Sequence, residues 1–174
     1  MHFSVVVVTD GGSEEEVAGA LAPYDETLEA DPWRSYSELD WVRQIQGDVD
    51  DATLLAVIGE RWPDMVCGLD DTGLYLVTTW NPQGQWDWWQ IGGRWQASLV
   101  RDDGAMVDTG PVGRIDWVAT DAVTRWPFVP YAVVDDGWYL PGDAGDDTEA
   151  HAWFRSWVDG LSPSRWVTVV DCHQ

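Results

Sequence analysis

The chain contains no lysine: its 9 basic residues are all arginine, against 31 acidic residues and a formal net charge of -22. Asparagine and isoleucine are also scarce. All three depend on A/T-rich codons, so a GC-rich genome accounts for part of the imbalance. The remaining negative surface repels phosphate backbones and argues against direct binding of nucleic acid. The same field suits a basic partner protein, while its simplest role is to keep a tryptophan-rich chain in solution.

Other absences exclude further classes of protein. Cys67 and Cys172 are the only cysteines, too few for a disulfide framework or a cysteine zinc cluster, and we expect both thiols to be free. Apolar runs such as Val5 to Val8 are far shorter than the roughly 20 residues of a spanning helix. The first residues lack the features of a signal peptide, which predicts a cytoplasmic protein. Phosphate-loop, zinc-protease and EF-hand motifs are missing, so we expect no cofactor and no metal and no membrane association.

The length, composition and hydrophobic pattern of the chain predict an α+β fold. With 174 residues and 45% hydrophobic content, the chain can form one core, so we expect a single domain over 1–174. Hydrophobic periodicity and cap signals predict an antiparallel or mixed sheet with helices mainly on one face. The valine-rich first and last strands are expected to pair at its centre. The predicted strands are 3–8, 74–80, 95–100, 131–134, 138–140 and 166–172, and the predicted helices are 14–21, 35–46, 51–62 and 148–159.

Four of the 14 tryptophans lie between residues 86 and 95. Strand alternation predicts Trp86 and Trp88 on one face and Trp89 on the other, up to a glycine pair that permits a close approach. Arg94 follows that pair and can stack on indoles, hold an anion or pair with a carboxylate. The segment is therefore either a packed aromatic core with an internal Asp–Arg bridge or a binding pocket. The candidate ligand-binding residues are Trp86, Asp87, Trp88, Gly92, Gly93, Arg94 and Trp95.

A second group of candidate residues comes from the two ends of the chain. If the first and last strands are antiparallel neighbours, His2 approaches Asp171 and His173. Two histidines and a carboxylate can bind a divalent metal, and Cys172 beside a histidine can act as a nucleophile. The alternative is that the strand ends fray and that the cysteine is only a small buried side chain. The candidate catalytic residues are therefore Asp171, Cys172, His173 and His2.

Four segments, in chain order, resemble a family of small uncharacterised phage and prophage proteins. They are 2–7, 21–26, the Trp-Asp-Trp-aromatic to Gly-Gly-Arg-Trp block at 86–95, and the Val-Val-Asp-Cys-His ending within 168–173. Trp89 stands where the family pattern has tyrosine, and the acidic, lysine-free middle fits a phage of a GC-rich host. The resemblance implies an origin and a shared site rather than a reaction. The site that it implies comprises Asp87, Gly92, Gly93, Arg94, Asp171, Cys172 and His173.

Three functions follow as hypotheses, and the sequence leaves open whether the protein is an enzyme. The first is a phage accessory protein of the host cytoplasm that binds a planar small molecule, such as a nucleotide, through a Trp/Arg pocket. The second is an acidic inhibitor that mimics nucleic acid and binds a basic host protein. The third is a small hydrolase or transferase that uses His2, Asp171, Cys172 and His173.

Overall fold

The computed structural model of the protein describes residues 1–37, 39–47, 49–124 and 128–174. It confirms the α+β class, with mixed and antiparallel sheets. In the described residues the strands are β1 (His2–Thr9), β2 (Glu29–Ser35), β3 (Cys67–Asp70), β4 (Gly73–Trp80), β5 (Trp88–Ile91), β6 (Leu99–Val100), β7 (Met106–Val107), β8 (Thr109–Pro111), β9 (Ala132–Val134), β10 (Trp138–Tyr139) and β11 (Trp166–His173). The helices are α1 (Glu14–Leu21), α2 (Asp40–Gln46), α3 (Asp51–Arg61), α4 (Trp117–Thr124) and α5 (Asp147–Asp159).

The chain folds into two compact units. Unit 1 comprises Met1–Glu26 and Gln83–Gln174, and unit 2 comprises Thr27–Pro82. All of the candidate site residues belong to unit 1. The expectation of a single domain over 1–174 stays a prediction.

The sheet of unit 1 is built around the first and last strands of the chain. Its strand order is β10-β9-β1-β11-β5, and β8 also pairs with β11. β1 and β11 are antiparallel over their whole length, from His2 opposite His173 to Thr9 opposite Trp166. The predicted central pairing of the two valine-rich strands is thereby confirmed. The neighbour of β1 on its other side, β9, is parallel to it, which makes the sheet mixed.

Helices cover both faces of this sheet. On one face, Val6, Val8, Val167 and Val169 pack with residues of α4 and α5, including Phe154. On the other face, alternate residues of the same strands pack against Val17 and Leu21 of α1. This strict alternation buries nearly all of β1 and β11, as expected of strands at the centre of a covered sheet.

The local signals at helix ends were reliable. Ser13 and Glu16 form the predicted capping box of α1, and Asp146 and Glu149 form one at α5. The Asp50 carboxylate accepts the N–H of Thr53 and so caps α3. No helix in the described part of the chain is both long and apolar enough to cross a membrane.

Two predicted elements were wrong. The helix expected over 35–46 begins only at Asp40, because Ser35 belongs to β2 and pairs with Leu76 of β4. The strand expected over 95–100 is reduced to Leu99–Val100, because positive φ angles at Gly92, Gly93 and Ala97 fold the preceding residues into a 3-10 turn. In both cases a long-range pairing or a turn overrides a local pattern.

Candidate functional site

The pairing of β1 with β11 brings a histidine and a buried carboxylate together. His2 Nδ1 lies 2.8 Å from Asp171 Oδ1. The Asp171 side chain is only 3% exposed, whereas that of His2 is 26% exposed. A carboxylate on Nδ1 fixes the ring orientation and holds the N–H at Nδ1, so Nε2 remains available as a proton acceptor.

A second pair of the same kind lies beside the first. His173 Nδ1 is 2.8 Å from Asp87 Oδ1, and both side chains are well exposed. The centroids of the His2 and His173 rings are 5.0 Å apart, and the exposed indole of Trp88 lies edge-on to His2 at 6.1 Å. Unit 1 therefore presents two imidazoles side by side, each oriented by its own carboxylate.

The strand ends that carry these histidines are held by backbone hydrogen bonds. The N–H of Asp87 donates to the carbonyl of His173 at 2.9 Å, and the N–H of Gln174 donates to that of Met1 at 2.9 Å. The fraying considered from the sequence is not what the structure shows. Both histidines are therefore placed by the sheet itself.

The glycine pair brings a backbone turn directly over the buried carboxylate. Gly92 and Gly93 have φ angles of +68° and +50°, and the turn that follows lets the Arg94 N–H donate to Asp171 Oδ2 at 3.0 Å. A Cβ at Gly93 would lie 2.4 Å from the Cβ of Asp171. Only glycine fits there. The two oxygens of Asp171 are thus engaged, one by His2 and one by the turn.

The tryptophans of the block do not share one face. Trp86 is buried and donates its indole N–H to the Leu21 carbonyl at 3.1 Å, and Trp89 packs in the same core. Trp88 lies on the histidine side of the sheet. The predicted alternation holds for Trp88 and Trp89 but not for Trp86, because β5 begins only at Trp88, while the Trp86 backbone bonds to Tyr24 and Glu26. The Asp–Arg bridge is also absent from the described contacts, since Asp87 pairs with His173.

Two cavities flank the turn that follows the glycine pair. A cavity of about 350 Å³ is lined by Gly93, Arg94 and Asp171, together with Gln90, Ile91, Gln96 and Asp108. A larger one, of about 550 Å³, is lined by His2 and Trp95 among others. The predicted ligand-binding arginine and the tryptophan next to it therefore line different cavities.

Cys172 lies apart from the histidines. It is next to Asp171 and His173 in β11, so it points to the opposite face, where it is fully buried with Phe3 and Trp89. Burial, and then the nearby charge of Asp171, raises the pKa of this thiol to about 12. A raised pKa removes the thiolate that a nucleophilic cysteine needs.

We expect the Cys172 thiol of the native protein to resist alkylation. At pH 8 a pKa of about 12 leaves roughly one thiol in 10⁴ ionised, and burial excludes the reagent as well. Iodoacetamide labelling followed by peptide mass mapping checks this, with the half-buried Cys67 as the internal comparison and denatured protein as the positive control. Rapid modification of Cys172 in the folded state would contradict the assignment.

The arrangement does not resemble a metal centre. In the described ranges, no group of three or more His, Cys, Asp or Glu side chains is placed to hold a metal ion. Each histidine uses Nδ1 for a different carboxylate, so the two-histidine, one-carboxylate set considered from the sequence does not converge.

Sequence reasoning missed three residues near the site. Ser4 lies opposite Asp171 and on the same face of β1 as His2. The sequence offered a signal for it, because Ser4 is a polar residue two positions after His2 in an otherwise apolar strand. Asp108 approaches Gly92 and accepts the N–H of Ala97. Tyr131 packs against Phe3 with ring centroids 4.8 Å apart. No local pattern indicates the last two, because both contacts depend on segments far apart in sequence.

Comparisons with known proteins find no match among family models, curated proteins or solved structures. The resemblance to phage proteins therefore stays a prediction, and the site is interpreted from its own geometry.

Proposed function

We propose that unit 1 is a small hydrolase or transferase in which His2 and His173 perform general acid–base catalysis. The observation that carries this proposal is the placement of two imidazoles with ring centroids 5.0 Å apart, each bound through Nδ1 to a separate carboxylate. Acyl transfer requires one group to accept a proton and another to donate one, and paired histidines supply both.

The environments of the two histidines favour different roles. Asp171 is buried and fixed by two hydrogen bonds, so it orients His2 firmly and stabilises the positive charge formed when Nε2 accepts a proton. The His173–Asp87 pair is more exposed and can exchange its proton with water. We assign His2 as the general base and His173 as the general acid.

The reaction we propose is transfer of an acyl group from an ester to water or to a second hydroxyl. His2 Nε2 takes the proton of the attacking hydroxyl as its oxygen bonds to the carbonyl carbon. The ester C–O bond then breaks, and His173 protonates the departing oxygen. A proton passed from His2 through water to His173 restores both residues. Cys172 takes no part, because its thiol is buried on the other face.

The other hypotheses stay predictions. They are an origin in a phage, action in the host cytoplasm, binding of a planar molecule through a joint Trp/Arg pocket, and mimicry of nucleic acid. The acid–base proposal depends on none of them.

The proposal is tested by hydrolysis of 4-nitrophenyl acetate, with bis(4-nitrophenyl) phosphate as a probe of phosphoester cleavage. We expect turnover of the acetate ester above that of an equal concentration of free imidazole. Hydrolysis no faster than that by free imidazole at every pH would overturn the proposal.

A further inference from the structure

The larger cavity beside His2 differs from its neighbour in chemistry. Its volume is about 550 Å³, within the range of small-molecule sites. Aromatic and aliphatic side chains form much of its wall, and among the described residues two carboxylates line it together with His2. The wall residues that matter here are Phe3, Trp95, Tyr131 and Leu140, and the carboxylates are Asp143 and Asp147.

The cavity wall includes residues from both faces of the first strand. His2 and Ser4 lie on one face of β1 and Phe3 on the other, where it packs on Tyr131, and all four residues line the cavity. Trp95 ends the turn whose backbone holds Asp171. A flat group that fills the cavity would therefore lie beside His2.

The charged side chains that line this cavity in the described part of the chain disfavour anions. Arg94, which precedes Trp95, lines the other cavity. The N-terminus of α5 lies at the wall, and the Asp146 carboxylate already accepts the N–H groups of Thr148 and Glu149, so these two donors are not available to an anion. A positive group gains attraction from both carboxylates and from the faces of the aromatic rings.

We propose that this cavity binds the part of the substrate that does not react, and that it selects a flat apolar group which is cationic or neutral. This inference rests on the proposed function for the role of His2, but the binding itself does not require turnover. It names the substrate class as aromatic esters without negative charge, and it predicts discrimination against carboxylates and phosphates.

Binding is tested by titration calorimetry with three ligands of one shape: benzyltrimethylammonium, benzyl alcohol and phenylacetate. We expect the cation to bind with a dissociation constant of about 0.1–1 mM, as its size allows, and at least about 10-fold more tightly than phenylacetate. Phenylacetate binding as tightly as the cation, or no binding of any ligand, would overturn the inference.

Two variants locate the binding. Gly142 lines the cavity, and a Cβ there meets nothing within 4 Å, so Gly142→Leu adds a larger side chain at the cavity wall without steric overlap at its Cβ. We expect it to weaken binding of the cation and of benzyl alcohol at least about 10-fold. The matched control is Gly19→Leu, an equally open position in α1, on the opposite face of the sheet. Unchanged affinities in Gly142→Leu would show that the ligands bind elsewhere and would overturn the inference.

The double variant Asp143→Asn, Asp147→Asn tests the charge selection. We expect the cation to lose most of its advantage over phenylacetate, while the affinity for benzyl alcohol stays within about two-fold. If the double variant still binds the cation more tightly than phenylacetate by the wild-type ratio, the proposed role of the carboxylates is wrong. Failure of the catalytic proposal has a different signature: ligand binding as expected, without hydrolysis of 4-nitrophenyl acetate.

Discussion

Replacing His2 or His173 with alanine is expected to lower kcat for 4-nitrophenyl acetate by at least about 100-fold. Each variant removes one of the two proton-transfer groups, and a positioned acid or base contributes roughly 10²–10⁴-fold. Initial rates over a range of substrate concentrations give kcat for each variant and for the wild-type protein.

The third histidine provides a matched control. His151 Nε2 lies 3.2 Å from Asp121 Oδ2, and its side chain is 25% exposed, close to the 26% of His2. It belongs to α5 rather than to the paired strand ends. His151→Ala should therefore leave kcat within about two-fold of the wild-type value. If all three histidine variants lose activity equally, or none does, the assignment of His2 and His173 is wrong.

The substitution Gly93→Ala should destabilise unit 1 more than an ordinary glycine replacement does. The φ of +50° costs an alanine about 1–2 kcal/mol, and its Cβ would overlap the Asp171 side chain at 2.4 Å. The steric overlap is removed only if the turn or the buried carboxylate moves, so we expect a total loss of at least about 3 kcal/mol in the free energy of unfolding. For a chain of this size the melting temperature should fall by about 6–12 °C.

Gly104→Ala separates backbone strain from steric overlap. Gly104 also has a positive φ, +81°, but a Cβ there meets nothing within 4 Å. We expect it to cost only about 1–2 kcal/mol, the strain alone. Equal losses in the two variants would show that the approach of Gly93 to Asp171 contributes nothing. Because the turn holds Asp171, Gly93→Ala should also slow ester hydrolysis at temperatures where the variant remains folded.

Much of the proposed catalytic pair was predictable from the order of the strands. Two valine-rich runs at the ends of the chain are suited to a sheet centre, and antiparallel pairing then brings His2 to Asp171 and His173. Side chains alternate between the two faces of a strand, so the sequence alone already places Cys172 on the opposite face of β11 from Asp171 and His173. The prediction that grouped Cys172 with the histidines did not take this alternation into account.

The tryptophan block was less predictable, because alternation holds only inside a strand. β5 begins at Trp88, so Trp86 follows a different constraint and enters the core through its bond to Leu21. The glycine pair indicated a close approach, but not which group is approached. That group, Asp171, lies 78 positions further along the chain from Gly93.

The sequence by itself determined the helix caps, the pairing of the first strand with the last, and hence the meeting of His2 with Asp171, because these follow from local periodicity and strand direction. Only the tertiary structure decided that His173 pairs with Asp87, that Arg94 and Trp95 face separate cavities, and that a turn covers Asp171. Those relations depend on where a strand begins and how a turn crosses the sheet, and contacts between distant segments set both.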